Sequence, residues 1–270
     1  MSLKPRIAIP VPTSFDPEYN QRGWPQYAAA VERAGGEPVR VELDLTPREI
    51  AELANTCQGI LLPGSPADVN PQKYGQDAIE ATAAADGPRE NVDELLLQDA
   101  HNLFKPILTI CFGTQMLNVW RSGTLVQDLT VMPVNHSASK VAIAHNAAIA
   151  PESLLGHILR HDEAAAAEAP EQEFYLRLPI NSSHHQAVGI PGDGLRVVAR
   201  CPQDAVVEAV EGGQAIGEAG GIDHPAHFVL GVQWHPERSY ETSAASRAMF
   251  ERFIVEAAAW VPRPIHTSVA

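Results

Sequence analysis

The chain has 270 residues, of which 45% are apolar and 19% are charged, so it can bury the core of one large domain. Its formal net charge of −14 at pH 7 argues against nucleic acid or an anionic membrane surface as a partner. No stretch approaches the ~20 consecutive apolar residues of a membrane span, and the first residues lack the features of a signal peptide. We therefore expect a cytoplasmic protein with neither kind of partner.

Strands and helices alternate through the first half of the sequence. Short apolar runs predict strands, and runs with helical periodicity predict helices; Thr46 followed by Pro47 is typical of a helix start. The predicted strands are Arg6–Pro10, residues 38–41, Gly59–Leu62 and Ile107–Ile110, and the predicted helices are residues 25–34, a helix from Thr46, residues 89–102 and residues 113–121. This alternation predicts an α/β three-layer sandwich with a mostly parallel central sheet.

The second half is less regular and predicts a smaller antiparallel part. The expected elements are hairpin strands at residues 195–199 and 206–210, turns at residues 192–194 and 212–213, a buried strand at residues 228–232 and an amphipathic helix at residues 242–260. The alanine-rich, acidic residues 160–173 are predicted to form an exposed insertion or loop. With no repeat and no linker, residues 1–270 are predicted to form a single domain.

The segment Ile-Leu-Thr-Ile-Cys111-Phe-Gly-Thr-Gln115 gives the strongest local signal. A buried strand ends at Cys111 and a helix begins almost at once, as in a nucleophile elbow, although Thr109 replaces the small residue of that motif. The N-terminus of a helix favours a thiolate. The alternative is that Cys111 has no catalytic role and is simply a small apolar residue at the end of a strand. Cys57 and Cys201 lack the turn and the following glycine, so we interpret both as structural.

A second apolar strand runs into His235-Pro-Glu237. Residues two apart in an extended chain face the same side, and Pro236 favours the extended conformation at His235. Glu237 can therefore orient the imidazole while its other nitrogen faces a thiol. Taken alone, His235 and Glu237 could be two solvated residues at the end of a strand. Beside a cysteine elbow, it predicts a catalytic triad of Cys111, His235 and Glu237.

Four motifs lie between residues 62 and 237, and the similarity that they anchor extends from residue 6 to about residue 257. They are Leu-Pro-Gly64-Ser65-Pro continuing to Gly75, Ile-Cys111-Phe-Gly-Thr-Gln115, Asn181-Ser-Ser-His184-His185-Gln, and Gly-Val-Gln-Trp-His235-Pro-Glu237. In these motifs the sequence resembles class I glutamine amidotransferases, and most closely the γ-glutamyl-γ-aminobutyrate hydrolases of the peptidase C26 group. The resemblance implies the flavodoxin-like fold of that class.

The resemblance also implies that Cys111 forms a γ-glutamyl thioester, which water then hydrolyses. An oxyanion hole would use the backbone N–H of Phe112 and one from the Gly64–Ser65 loop. The position of Phe112 often holds arginine in this branch, which leaves the specificity for the leaving amine open. Because the role of Phe112 in the hole is through its backbone, we expect the acyl chemistry to survive.

By the same resemblance, Gln115 matches the glutamine that holds the glutamyl group, and Ser183 and His184 are predicted to line the pocket. Neighbouring residues on an extended chain point opposite ways, so at most one of His184 and His185 should face the site. No metal or cofactor is predicted, because no metal-ligand spacing or HExxH helix occurs.

Three functions remain open from the sequence. The first is hydrolysis of a γ-glutamyl amide such as γ-glutamyl-γ-aminobutyrate, in putrescine breakdown. The second is a glutaminase subunit that supplies ammonia to a separate synthetase. The third is a catalytically silent binding protein. We expect a small γ-glutamyl molecule as the substrate, and a homo-oligomer is compatible with the sequence.

Overall fold

The computed structural model of the chain describes residues 4–212 and 225–262. In this part of the chain the strands are β1 (Arg6–Pro10), β2 (Glu37–Val41), β3 (Gly59–Leu62), β4 (Ile107–Ile110), β5 (Leu125–Val126), β6 (His145–Ile149), β7 (Glu171–Gln172), β8 (Tyr175–Ile180), β9 (Ala187–Val188), β10 (Leu195–Arg200), β11 (Val207–Gly212) and β12 (Val229–Val232). The α-helices are α1 (Pro17–Arg33), α2 (Pro47–Ala54), α3 (Gly87–Leu103), α4 (Phe112–Trp120), α5 (Leu154–His161), α6 (Glu163–Glu168) and α7 (Ala244–Ala259).

One large sheet organises these elements, in the strand order β2-β1-β3-β4-β12-β11-β10-β6-β8-β7. Strands β2, β1, β3, β4 and β12 are parallel to one another, and every pairing from β12 through β11 to β7 is antiparallel. The antiparallel part therefore continues the parallel sheet. Strands β5 and β9 form a separate two-stranded antiparallel pair.

Two hydrophobic cores cover the two faces of the sheet. One core joins the sheet to α1, α5, α6 and α7, and the other joins it to α2, α3 and α4. Strands β3 and β4 are buried along their whole length, as expected for parallel strands covered on both faces. The three-layer α/β architecture predicted from the sequence is confirmed.

The local signals at the helix starts explain where several helices begin. Thr46 caps α2 in a reciprocal capping box with Glu49, as the Thr-Pro start suggests. Helix α1 starts at Pro17, eight residues before its predicted start at Pro25, because Asp16 caps it and accepts from the Tyr19 amide at 2.8 Å. The helix then continues through Pro25.

Most of residues 160–173 are exposed as predicted, but the assignment of this segment as a loop is wrong. This segment contains the end of α5, all of α6 and strand β7. Asp162 caps α6, and Ala165 is completely buried. Glu168 accepts hydrogen bonds from the first amides of α7, so the acidic run ties two helices together. The predicted hairpin of β10 and β11 is present, whereas Gly213 in its predicted turn lies outside the described residues.

Arg89, at the start of α3, is completely buried and ties together the carboxyl ends of neighbouring strands. Its guanidinium donates to the carbonyl oxygens of Pro12 and Pro63, just after β1 and β3, at 2.8 and 2.7 Å. It also donates to Asp93 Oδ1 at 2.8 Å and lies 5.0 Å from the centroid of the Phe112 ring. Arg89 thus fixes the loop that begins at Pro63.

None of the helices in the described ranges, residues 4–212 and 225–262, has the length and apolar character needed to cross a bilayer.

We predict that Arg89→Met lowers the free energy of unfolding by about 3–5 kcal/mol, because the change leaves the Asp93 carboxylate and two carbonyl oxygens unpaired inside the protein. Urea unfolding followed by circular dichroism measures the effect. The control is Arg48→Met, which removes an exposed pair with Glu52 and should change the stability by no more than about 0.5 kcal/mol. Equal losses in the two variants would contradict this role for Arg89.

Candidate active site

Cys111 occupies the sharp turn between β4 and α4. Its backbone has φ 52° and ψ −111°, a strained conformation for a residue with a side chain. The Cys111 amide donates to Val232 O on β12 at 2.9 Å, and the Cys111 carbonyl accepts from the amides of Thr114 and Gln115. The structure therefore has the strand–turn–helix geometry of a nucleophile elbow.

Close packing around the turn holds this conformation. A Cβ atom on Gly113 would lie 2.3 Å from Leu62 O, so only glycine lets α4 start so close to β3. Thr114 Oγ1 donates to Val232 O at 2.8 Å and lies 3.1 Å from Thr109 Oγ1. The glycine at position 231 leaves room for Thr109, since a Cβ there would lie 2.7 Å from Thr109 Oγ1. The larger residue before the nucleophile is thus accommodated by the neighbouring strand.

His235 and Glu237 follow β12 and are both buried. His235 Nδ1 lies 2.7 Å from Glu237 Oε1, which fits an imidazole held by a carboxylate. Asn181, just after β8, holds the His235 backbone from both sides: its Oδ1 accepts from His235 N, and its Nδ2 donates to His235 O, each at 2.8 Å. Asn181 opens one of the motifs noted in the sequence, but no role for it was predicted.

The fold brings Cys111 and His235 together. A Cβ atom placed on Gly64 would lie 3.0 Å from His235 Cε1 and 3.5 Å from Cys111 Cβ, so both side chains approach the same point. Across the described ranges, His235 Nε2 has no partner with hydrogen-bond geometry. This nitrogen is therefore free to exchange a proton with the thiol or with a substrate.

The electrostatics of His235 favour its protonated form. Burial alone would lower the pKa of His235, but the Glu237 carboxylate and a Cys111 thiolate outweigh burial and raise the pKa to about 9. An imidazolium at neutral pH can stabilise a thiolate beside it. By contrast, burial raises the pKa of the Cys57 thiol and raises that of Cys201 to about 11, which suits their interpretation as structural residues.

The candidate oxyanion donors lie on two segments next to Cys111. Phe112 is the first residue of α4, so its N–H has no acceptor within the helix. The Gly64 N–H donates to the hydroxyl of the buried Tyr27 at 3.1 Å, and Ser65 Oγ accepts from the Ala67 amide. The Gly64 amide is thus already engaged, a partnership that the sequence did not indicate.

A cavity of about 240 Å³ lies beside the elbow and is bordered by the Cys111 side chain. Five other residues predicted for the site border it as well: Ser65, Phe112, Gln115, Ser183 and His184. Gln115 Nε2 donates to Gln186 O at 3.0 Å, which anchors this side chain to the opposite wall. Every predicted oxyanion and substrate residue except Gly64 therefore borders one cavity with Cys111, whereas His235 and Glu237 are not among its lining residues.

The segment of Ser183 to Gln186 forms one wall of the cavity, and its two histidines point in different directions. His185 is half-buried, and its Nε2 lies 2.9 Å from Asp68 Oδ1, which raises the pKa of His185. The ring of His184 points away, with Nδ1 2.9 Å from Gln186 O and Nε2 directed towards Glu208. Ser183 and His184 thus border the cavity as predicted, but both ring nitrogens of His184 are directed at other groups, and His185 has the more accessible ring.

The groups that could hold a metal ion lie apart from the thiol and His235. Within the described part of the chain, the groupings of His, Cys and carboxylate side chains that are close enough share His136. One of them combines His136 with His145 and Glu208, and all three are buried.

Comparison with known proteins agrees with these features. The family model of Peptidase C26 matches residues 15–237. The chain is 34% identical over 239 residues to "Gamma-glutamyl-gamma-aminobutyrate hydrolase" of Escherichia coli O157:H7, covering 85% of this chain and 84% of that protein. It is 28% identical over 236 residues to "Protein NtpR" of Enterococcus hirae, covering 85% and 87%. The glutaminase domain of Trypanosoma brucei CTPS shares its fold, with a TM-score of 0.57, 15% identity and 96% of each chain covered.

The fold is that of the class I glutamine amidotransferases. The chain belongs to the Peptidase C26 family and is a glutamine amidotransferase-like hydrolase that acts on carbon–nitrogen bonds. The family resemblance seen in the sequence is therefore confirmed.

We predict that Glu237→Gln slows alkylation of Cys111 by iodoacetamide at pH 7 and that the rates of variant and wild type converge at high pH. Without the carboxylate, the pKa of His235 falls from about 9, so less imidazolium is present at pH 7 to stabilise the thiolate. Above the pKa of His235 neither protein carries the imidazolium, so the difference between them disappears. Peptide-resolved mass spectrometry measures the rate, with Cys57 and Cys201 as internal controls. Equal Cys111 rates in both proteins at pH 7 would refute the ion-pair description.

Proposed function

We propose that this hydrolase cleaves a γ-glutamyl amide of the γ-glutamyl-γ-aminobutyrate type through a thioester on Cys111. One observation carries the proposal: a thiol on a strained turn borders a cavity, with the buried His235–Glu237 pair beside it. The E. coli relative named above carries this activity in its name. With that substrate, the reaction would belong to putrescine breakdown.

In the proposed reaction the Cys111 thiolate attacks the γ-carbonyl carbon of the substrate. The negative charge that develops on the carbonyl oxygen is stabilised by the Phe112 N–H and by an amide of the Gly64–Ser65 loop. His235 gives its proton to the departing amine, the C–N bond breaks, and the glutamyl group remains on sulfur. Neutral His235 then takes a proton from water, which attacks the thioester and releases glutamate.

The charged groups at the cavity suit the amino-acid end of a γ-glutamyl group. Asp68 and His185 border the cavity as a pair of opposite charge when His185 is protonated. The glutamyl end carries one ammonium and one carboxylate, so it can pair with each of them in turn. Gln115 on the neighbouring wall supplies a neutral polar contact.

We predict that the purified chain releases glutamate from γ-glutamyl-γ-aminobutyrate without any partner and faster than from glutamine. A panel of γ-glutamyl amides, glutamine included, tests this by coupled glutamate detection. Turnover of glutamine that appears only after a synthetase is added would instead identify a glutaminase subunit. No turnover and no labelling of Cys111 by a γ-glutamyl electrophile would identify a silent binding protein.

We expect Cys111→Ala and His235→Ala each to lower kcat by at least about 10⁴-fold, because members of a triad act as one unit. Circular dichroism should show both variants folded. Cys201→Ala is the matched control and should keep nearly full activity. Retained turnover in the Cys111→Ala variant would overturn the thioester mechanism.

A further inference from the structure

Three histidines surround one carboxylate in a buried cluster that the proposed reaction does not use. His136, His145, His184 and Glu208 are exposed by 2, 5, 5 and 0%. His145 Nε2 lies 2.8 Å and His136 Nδ1 3.3 Å from Glu208 Oε1, and His184 Nε2 lies 3.9 Å from Glu208 Oε2. The four residues come from separate segments, so no sequence spacing reveals them.

Several polar atoms in this cluster have no hydrogen-bond partner within residues 4–212 and 225–262. They include His136 Nδ1, His184 Nε2 and Glu208 Oε2. His136 Nδ1 is near Glu208 Oε1 but lacks hydrogen-bond geometry. Buried polar atoms are almost always satisfied, so this group of atoms points to a bound species.

The outer contacts of two histidines fix which nitrogen faces inward. His184 Nδ1 lies 2.9 Å from Gln186 O, and a carbonyl oxygen only accepts, so this nitrogen carries the proton. In the neutral ring, His184 Nε2 then directs a lone pair towards the Glu208 carboxylate, another acceptor. Two buried acceptors that face each other need a hydrogen-bond donor or a cation between them, and a cation satisfies both at once. His136 Nε2 likewise lies 3.0 Å from Asp204 Oδ2.

We propose that His136 Nδ1, His145 Nε2, His184 Nε2 and a Glu208 oxygen bind one Zn²⁺ ion. Imidazole nitrogens with a carboxylate oxygen are ligands that zinc accepts in a tetrahedral site. Such ligands, each about 2.0–2.2 Å from the metal, lie roughly 3.3 Å apart. His136 Nδ1 lies 3.3 Å from Glu208 Oε1, at this spacing. His145 Nε2, hydrogen-bonded to the same oxygen at 2.8 Å, and His184 Nε2, 3.9 Å from Glu208 Oε2, reach it by small side-chain shifts when the ion binds.

The outer contacts of His136 and His184 are those of zinc ligands. A histidine that binds zinc usually donates its other N–H to a carboxylate or a backbone carbonyl, which fixes its tautomer. The Asp204 carboxylate is this partner for His136, and the Gln186 carbonyl is this partner for His184. The alternative grouping of His136 with Cys201 and Asp204 fits less well, because the Cys201 thiol already donates to Gln203 Oε1 at 3.2 Å.

The zinc site lies directly behind one wall of the catalytic cavity. The wall segment bonds to the cluster, since His184 N donates to His136 O at 3.0 Å and Ser182 Oγ donates to the same oxygen at 2.6 Å. The Gln186 carbonyl accepts from both His184 and Gln115. Four protein ligands leave no open position, so the ion is structural and holds this wall in place.

Zinc content tests the proposal in the full chain carrying Cys111→Ser, so that the catalytic thiol cannot hold the metal. After dialysis against a chelator and re-addition of Zn²⁺, mass spectrometry of the metal should find one zinc per chain. Cobalt in its place should give a tetrahedral spectrum without a thiolate charge-transfer band. Glu208→Gln should lose the zinc, and Asp204→Asn should weaken zinc binding by about 10–100-fold. Cys201→Ala is the matched control and should keep the zinc.

No zinc at micromolar concentrations, a thiolate band, or zinc retained by Glu208→Gln would overturn the proposal. Circular dichroism in the presence of chelator checks that each variant is folded. If Glu208→Gln does not fold, diffraction from zinc-soaked crystals of the Cys111→Ser chain at the zinc absorption edge decides the matter. An anomalous peak among the four ligands supports the site, and ordered water alone there overturns it.

Discussion

The strained turn at Cys111 is the constraint on which the rest of the site depends. A residue held in such a conformation costs of order 1–3 kcal/mol, so the surrounding structure must over-determine it. The parallel pairing of β4 with β12 does so, because Val232 lies opposite Ile110 and its carbonyl accepts from the Cys111 amide. The same register sets His235 three residues beyond Val232, at the edge of the sheet where the thiol lies.

The antiparallel half of the sheet leads into residues that orient His235 and border the cavity. Strand β8 ends immediately before Asn181, whose side chain makes two hydrogen bonds to the His235 backbone. The chain then continues into the segment from Ser183 to Gln186, which walls the cavity. The parallel strands thus position Cys111 and His235, and the segment that follows the antiparallel strand β8 orients His235 and borders the cavity.

Sequence patterns were sufficient for the fold class and for the meeting of Cys111 with His235. Both residues follow apolar strands, and the carboxyl ends of parallel strands share one edge of a sheet. The local pattern did not predict helix α6, because its alanines do not form a recognisable apolar stripe, although Ala165 is completely buried. Local patterns also failed for contacts between distant segments, such as Arg89 with the Pro63 carbonyl, which leave no periodic trace.

The Gly64 amide donates to the Tyr27 hydroxyl, and in the proposed mechanism an oxyanion would take the place of this hydroxyl. Burial, and the nearby Glu237 carboxylate, raise the pKa of Tyr27 well above its usual range, so the phenol stays neutral. Hydrogen bonds to an ionised acceptor are roughly twice as strong as those between neutral groups. In that mechanism the Gly64 amide keeps its hydrogen bond to Tyr27 until a negative charge develops on the substrate oxygen. The neutral carbonyl oxygen of the bound substrate is a weaker acceptor and does not displace the phenol as readily. Tyr27 would in this way make the second donor selective for the transition state over the ground state.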